Sequence, residues 1–483
     1  QRPTPFGCSP GTGAARAHPG LSFRQRALHF IVGDRMAEDS GRESESEVDL
    51  ELKEPKVGPI YTYNQEKSTA NIWLRGSRNY PFGFVQKKGS TADEDTHRIV
   101  FSPTFDYTGV VEVSIAETTE FVSFISTHGD LDETVEIDED NSTTFTVRFV
   151  EKEKSGISFF LASCRTGFLG MEFRRSDAAY KYALRVAPTM DLAIMHGDQI
   201  YADPVKNNPV GEVVDFDGYC GRYRKAFTTD GIARLFREVP TYMILDDHEV
   251  FNDFVGRKSI AHDAELTDRM NQAFTAYTAY QRRDVVRERD DDYWYTFQHG
   301  IHRFFVLDMR TVRDVENGTI LGLKQREQFL AWLAEEGEGI SFVVTSKPFA
   351  PDRTEVGDGW PVCLSERAMI LKACAARKSP PVFLGGDAHC SVVSSVYHKD
   401  REDPIAHSVV SSGIRSYVYR TPESFKMGTV DMGDGFHYKT YDEQFVSTKN
   451  FAIVSTHSPK SFSVSYYSRN KGKLLAVKKD LAC

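Results

Sequence analysis

Cysteine is sparse and unpatterned in this sequence. Seven are spread over 483 residues, at positions 8, 164, 220, 363, 374, 390 and 483, and no two make a CxxC pair. A disulfide framework is excluded, and neither a zinc ribbon nor a thioredoxin-like motif is supported. No run approaches the roughly 20 apolar residues that span a bilayer. No secretory apolar segment opens the chain, and Arg174-Arg175 is internal with no apolar run behind it, so it is not a twin-arginine signal. The expected compartment is therefore a reducing cytoplasm. Basic residues are not in excess: Lys and Arg total 59 against 69 Asp and Glu, for a net charge of −10. That balance argues against a protein whose main work is gripping nucleic-acid phosphates, and no nucleic-acid groove is evident. No internal repeat is visible. What is present is an ordinary apolar content of 40%, which excludes wholesale disorder. The length exceeds what one hydrophobic core usually serves, so at least two domains are expected.

Three regions differ in pattern. Residues 1–56 combine a Gly/Pro/Ala-rich stretch with an acidic one around 43–54, too polar to offset the ordering of the chain, and read as a disordered tail. Met36-Ala37 inside it resembles a natural start. Residues 57–153 alternate: Val111, Val113 and Ile115, and again Phe145, Val147 and Phe149, are separated by polar residues and bounded by Gly-containing turns. Alternation of this kind predicts a small antiparallel β-sandwich. From 154 to 483 continuous apolar runs take over, at 157–163, 192–196, 241–245, 303–307, 342–345 and 382–384. Helical stretches intervene at 176–187, 268–280 and 324–335. Such runs suit strands buried on both faces of an α/β sheet. After about 404 strand pairs return, at 407–411, 452–456 and 462–466.

Four of these runs end on their C-terminal side in candidate metal ligands. The first ends at Cys164-Arg165, the second in Gly197-Asp198-Gln199-Ile200-Tyr201-Ala202-Asp203, the third in Asp246-Asp247-His248-Glu249, and the last in Gly385-Gly386-Asp387-Ala388-His389-Cys390-Ser391. Ligands of α/β sheets bind beyond the carboxyl ends of strands, so parallel strands would gather these loops at one edge. Carboxylates and a phenolate are hard oxygen donors that can bridge highly charged cations, and a thiolate and an imidazole add softer donors. Two cations a few ångströms apart can clamp a phosphoryl group and activate a water. Gly197 and Gly386 precede Asp198 and Asp387, where a sharp backbone turn would aim both carboxylates into one space.

Taken in order, these blocks resemble the motifs of the PhoD-like alkaline phosphatase family, within the calcineurin-like metallophosphoesterases. Tyr293-Trp294-Tyr295 and Leu307-Asp308-Met309-Arg310 fit as well, and the likeness covers roughly 155–415. It implies an α/β (α+β) catalytic domain of two mixed sheets flanked by helices, preceded by a small all-β sandwich. The implied activity is hydrolysis of phosphate mono- or diesters by a metal-bound hydroxide at a dinuclear site. By the same resemblance Cys164 ligates iron where most relatives have an acidic ligand, Asp198 bridges the metals, and Tyr201 ligates iron as phenolate. Asp247 ligates the second metal, His248 serves the leaving oxygen, and Asp387 and His389 stand at a two-histidine motif with aspartate replacing the first. The implied cofactors are two or more metal ions, Fe3+ with Ca2+ or another divalent cation, and the implied partner is a phosphate-ester substrate. The chain lacks a Gly-x-His-x-His block, which excludes the ordinary purple-phosphatase pattern.

Taken singly, the same residues have plainer readings. Cys164 would be a small buried hydrophobe, Asp246-Asp247 a helix cap, His248 a satisfied core histidine, and Asp387 or His389 a hydrogen-bonding partner of a ligand. Of the Asp246-Asp247 pair, Asp247 is favoured as ligand and Asp246 as structural. Arg165 is a candidate to bind substrate phosphate, with a salt bridge as the alternative, and Arg222 and Arg224 are weaker candidates of the same kind. The rival to an enzyme is a non-catalytic metal-binding or scaffold protein of the same fold.

Overall fold

The structure, a computed structural model, describes residues 57–90, 92–129, 142–166, 171–203, 211–282, 292–351, 359–414, 428–441, 445–468 and 473–483. The expected tail at 1–56 lies outside them. Residues 53–483 make one compact unit.

The described residues of the alternating region form seven strands: β1 (Val57–Asn64), β2 (Thr69–Arg75), β3 (Phe82–Lys87), β4 (Thr96–Val100), β5 (Thr108–Ser114), β6 (Thr119–Ser126) and β7 (Ser142–Val147). They make two antiparallel sheets, ordered β1-β2-β5 and β4-β3-β6-β7. Tyr61, Ile72 and Val113 of the first sheet share one core with Val85, Phe121, Phe145 and Val147 of the second. Polar residues between them face outward, which is why the sequence alternates.

The continuous apolar runs become buried strands: β8 (Ser158–Ala162), β9 (Leu192–His196), β10 (Thr241–Ile244) and, after the partly exposed edge strand β11 (Tyr295–His299), β12 (His302–Val306), β13 (Ser341–Val344) and β14 (Val382–Gly385). The C-terminal part adds β15 (Ser391–His398), β16 (Ala406–Ser411), β17 (Thr429–Gly433), β18 (Phe436–Thr440), β19 (Phe451–Ser458), β20 (Ser461–Ser468) and β21 (Lys473–Ala482). Two mixed sheets result, ordered β10-β9-β8-β19-β20-β21 and β11-β12-β13-β14-β16-β15-β18-β17. Strands β8, β9 and β10 are mutually parallel, as are β12, β13, β14 and β16. The sheets pack face to face: Phe159 of β8 meets Phe304 and Phe342 of the other sheet edge-on, at 5.9 and 5.2 Å between centroids.

The α-helices among the described residues are α1 (Met171–Val186), α2 (Phe216–Phe227), α3 (Asp230–Glu238), α4 (Ala264–Tyr280), α5 (Gly322–Ala334) and α6 (Leu364–Ala375). Phe329 and Leu333 of α5 and Ile370 and Leu371 of α6 pack on Phe305, Val343 and Phe383, covering the second face of the larger sheet. Helices α1, α4 and α5 occur where periodicity predicts them. Helices α2, α3 and α6 are additions. Apolar residues lie on opposite sides of α6, with Ile370 and Leu371 buried but Leu364 and Met369 exposed, so no single stripe betrays it. The β-sandwich is bolted to helix α4 and strand β10 by polar contacts. Trp73 Nε1 donates to the Ala279 carbonyl at 2.7 Å, and the Tyr242 hydroxyl donates to the Tyr63 carbonyl at 2.9 Å. Among the described residues no helix is long and apolar enough to cross a membrane.

Candidate active site

The parallel strands β8, β9 and β10 end side by side, so Cys164, Asp198 and the Asp246-Asp247-His248 turn fall on one edge. The fourth loop, with Asp387 and His389, follows β14 of the other sheet. The expectation of a single sheet edge is thus corrected: the site forms where the carboxyl edges of two packed sheets meet. Ligand atoms of Cys164, Asp198 and His389 lie within 4.8 Å of one another. So do those of Asp198, Asp247 and His248, and those of Asp198, Asp246, Asp247 and Asp387. Asp198 belongs to every group.

Backbone conformation at this edge is unusual. Cys164, Asp198, Asp387 and His389 all have left-handed φ, at 59°, 55°, 58° and 52°. Non-glycine residues avoid this region, and strain of this kind collects at functional sites. Gly197 at φ 101° begins the turn before Asp198, and a Cβ there would come within 2.6 Å of Asp246 Cβ. Gly386 serves by its size instead, because a Cβ would lie 2.6 Å from His196 Nδ1 and 2.7 Å from Ser163 Oγ.

Electrostatics follow from the crowding of acids in a buried place. Asp198 Oδ2 accepts the Tyr201 hydroxyl at 3.1 Å, while the buried Oδ1 has no hydrogen-bond partner. Burial pushes the Asp198 carboxyl well above its ordinary range; His248 opposes this, and Asp247, Asp246 and Glu249 add to it. Burial, then the charges of Asp198 and Asp387, likewise push up the Cys164 thiol. Its sulfur sits 3.3 Å from Ser163 Oγ and 3.1 Å from Ser412 Oγ. Burial also works against the charge of Asp247, but Arg310, Lys347 and His248 overcome it and hold that carboxyl below the usual range. His248 contacts Asp203 through Nδ1 at 2.8 Å. Burial lowers its pKa, but Asp247, Asp198 and Asp203 outweigh that and raise it to about 10. Cations at Asp198 and Asp247 would offset two of those three contributions. An orphaned carboxylate oxygen flanked by a thiol, an imidazole and further acids fits a bound cation, which would stabilise the charged forms that burial disfavours.

Cys164, Asp198, Tyr201, Asp247, His248, Asp387 and His389 are therefore gathered in one place. Arg165 is not available to a substrate. It is wholly buried, its Nε and Nη2 donate to Ser176 Oγ and Thr229 Oγ1 at 3.0 Å each, Nη1 donates to the Ala226 carbonyl, and the guanidinium lies 5.2 Å from the Tyr180 ring centroid. This geometry corrects the expectation of a phosphate-binding Arg165: the side chain turns inward to fasten α1, α2 and the start of α3. Arg224 pairs with Asp106 at 2.7 Å, and Arg222 donates to the Gly211 carbonyl. Asp246 is held by Arg310 Nε at 2.6 Å and Ser346 Oγ at 2.8 Å, in keeping with a structural role.

Four residues take roles that the sequence reading does not assign, although Asp203 and Glu249 stand in its blocks. Lys347, whose side chain is 2% exposed, places Nζ 3.1 Å from both Asp246 Oδ2 and Asp387 Oδ2. It follows β13, so the strand-end rule reaches it too, but a lysine is not a ligand type and draws no notice. Asp203 orients His248. Ser412 accepts the His389 N–H at 2.9 Å while contacting Cys164. Glu249 is buried and accepts backbone N–H groups. Only a partner in space identifies these roles.

The family model for PhoD-like phosphatases matches residues 159–462. No curated protein matches the chain. Among solved structures, "Structure of PhoD" is similar over 88% of each chain, with a TM-score of 0.62 and 15% identity. The purple acid phosphatase PPD1 from yellow lupin (Lupinus luteus) seeds is similar over 88% of this chain and 74% of its own, with a TM-score of 0.59 and 11% identity.

Proposed function

The chain belongs to the PhoD-like phosphatase family and is a metal-dependent phosphoric ester hydrolase, and we propose that its reaction takes place at a two-cation site joined through Asp198. The observation that carries this reading is that Asp198 belongs to every candidate ligand group and keeps one buried oxygen without a partner. Cys164, Tyr201 and His389 would complete one position, and Asp247 and Asp387 the other. Sulfur and phenol donors suit Fe3+, and the oxygen-rich side suits Ca2+ or another hard cation. When bound, the cations supply positive charge for the phosphoryl oxygens and activate water.

The chain's own residues do the rest. Asp198 orients both positions from one strand end. Asp203 fixes the His248 ring through Nδ1, which leaves Nε2 to hold a proton for the departing oxygen. With cations bound, Asp203 is the remaining carboxylate that favours the protonated form of His248. Lys347 and Arg310 balance the acids Asp246 and Asp247.

Elemental analysis of the purified chain, paired with p-nitrophenyl phosphate and bis-p-nitrophenyl phosphate as substrates, tests the proposal. Two cations per chain are expected, with turnover reduced at least about 100-fold in Asp198→Asn. A fully active preparation without stoichiometric metal, or undiminished turnover in Asp198→Asn, would defeat it. The substrate pair separates monoesterase from diesterase. Metal bound with no turnover of any ester would favour the non-catalytic alternative.

A further inference from the structure

Glu249 stands immediately after the Asp246-Asp247-His248 turn, wholly buried, and its carboxylate joins two loops. Oε2 accepts the backbone N–H of Asp198 at 3.0 Å and of Asp246 at 2.8 Å. Oε1 accepts the backbone N–H of Gln199 at 2.6 Å and Gln281 Nε2 at 3.0 Å. Gln281, itself 3% exposed, also donates to the Tyr223 hydroxyl at 3.1 Å. The four contacts to Glu249 are all donations, which both oxygens of a carboxylate accept, whereas a carboxamide has only one accepting oxygen.

We infer that Glu249 is a positioning residue for Asp198. Its carboxylate holds the N–H groups on both sides of the strained Asp198 peptide and ties them to the Asp246 turn. Asp198 thereby stays in the left-handed conformation from which one side chain reaches every candidate ligand group. The inference rests on the metal-binding reading above. It goes further by assigning the geometry of the shared ligand to a residue outside every candidate ligand group among the described residues.

Glu249→Gln keeps volume and shape but replaces one oxygen by NH2. Placed at Oε2, the NH2 faces the Asp198 and Asp246 N–H groups; placed at Oε1, it faces that of Gln199. Either orientation sets donor against donor. Glu366→Gln is the matched control. Glu366 is equally buried and accepts Thr319 Oγ1, Ile320 N and Leu321 N at 2.6, 2.6 and 3.3 Å, yet belongs to no candidate ligand group.

Mn2+ titrated into the metal-stripped full chain, with free Mn2+ counted by electron paramagnetic resonance, reads the effect without relying on turnover. Glu249→Gln is expected to bind Mn2+ about 10- to 100-fold more weakly than the natural chain, as changes behind metal ligands typically do. Glu366→Gln is expected to bind as the natural chain does. Affinity of Glu249→Gln within about threefold of the natural chain, or an equal loss in both variants, overturns the inference while leaving the metal site standing. A natural chain that binds no Mn2+ removes both. If Glu249→Gln does not fold, Gln281→Leu carries the test, because it removes the outer anchor of the carboxylate and no ligand. A loss of about threefold or more then supports the inference, and unchanged affinity overturns it.

Discussion

The Tyr201 ring lies against the imidazole of His248, with centroids 4.1 Å apart and planes inclined by 31°. The Tyr201 hydroxyl is at the same time 3.1 Å from Asp198 Oδ2. One side chain thus supports the proposed proton donor with its face and meets the shared carboxylate with its oxygen. Tyr201→Phe separates these tasks. The ring remains, so the protein should stay folded and His248 oriented, while a phenolate-to-iron absorption band disappears and kcat falls at least about tenfold. A visible spectrum identical to that of the unaltered protein would rule out phenolate ligation.

His248→Gln should cost about 100- to 10,000-fold in kcat when the leaving group is a poor one, such as an alkoxide, because that oxygen needs a proton as it departs. For p-nitrophenolate, which leaves readily as an anion, the loss should be much smaller. Paired kinetics on alkyl and p-nitrophenyl esters make the comparison, and equal losses on both would show that His248 does not serve the leaving oxygen.

Arg165→Lys addresses the arginine that turned inward. A lysine keeps the charge but cannot make the fork of hydrogen bonds to Ser176, Ala226 and Thr229. The expected result is a loss of about 3 kcal/mol in unfolding free energy with KM changed less than about twofold, since truncating a buried charged network typically costs that much. A tenfold rise in KM with unaltered stability would return Arg165 to the substrate.

Asp106 links the β-sandwich to the helices. It pairs with Arg75 at 2.9 Å and Arg224 at 2.7 Å and accepts the Tyr280 hydroxyl. Burial opposes its charge, but the two arginines and the tyrosine prevail and hold the carboxyl below its ordinary value. The folded pKa is depressed, so this contribution to stability is complete above the unfolded value of about 3.9 and fades as pH falls through the lower folded value. Asp106→Asn, which tolerates the left-handed φ of 52° at this position, should lower stability by about 3–5 kcal/mol at pH 7. The gap should narrow below about pH 4. Denaturant titrations of both proteins across that range measure it, and a gap independent of pH would mean that the charge of Asp106 is not what matters.

Much of this arrangement is legible in the chain itself. Alternation at Val111–Ser114 and Phe145–Val147 announces an antiparallel sandwich, and unbroken apolar runs announce strands buried on both faces. Cys164, Asp198, Asp247, His248, Asp387 and His389 betray themselves by standing where such runs end. Strand periodicity is local, and local pattern suffices for those conclusions. It does not suffice for side-chain direction beyond the strand end. Arg165 and Cys164 are neighbours, yet left-handed backbone at Cys164 leaves the sulfur in the site and the guanidinium among Ser176, Ala226 and Thr229. Only tertiary structure decides that Asp387 arrives from a second sheet, that Lys347 sits between Asp246 and Asp387, and that Glu249 grips the Asp198 peptide. These relationships join residues 40, 51 and 101 positions apart, through hydrogen bonds and ion pairs whose partners are chosen by packing rather than by spacing along the chain.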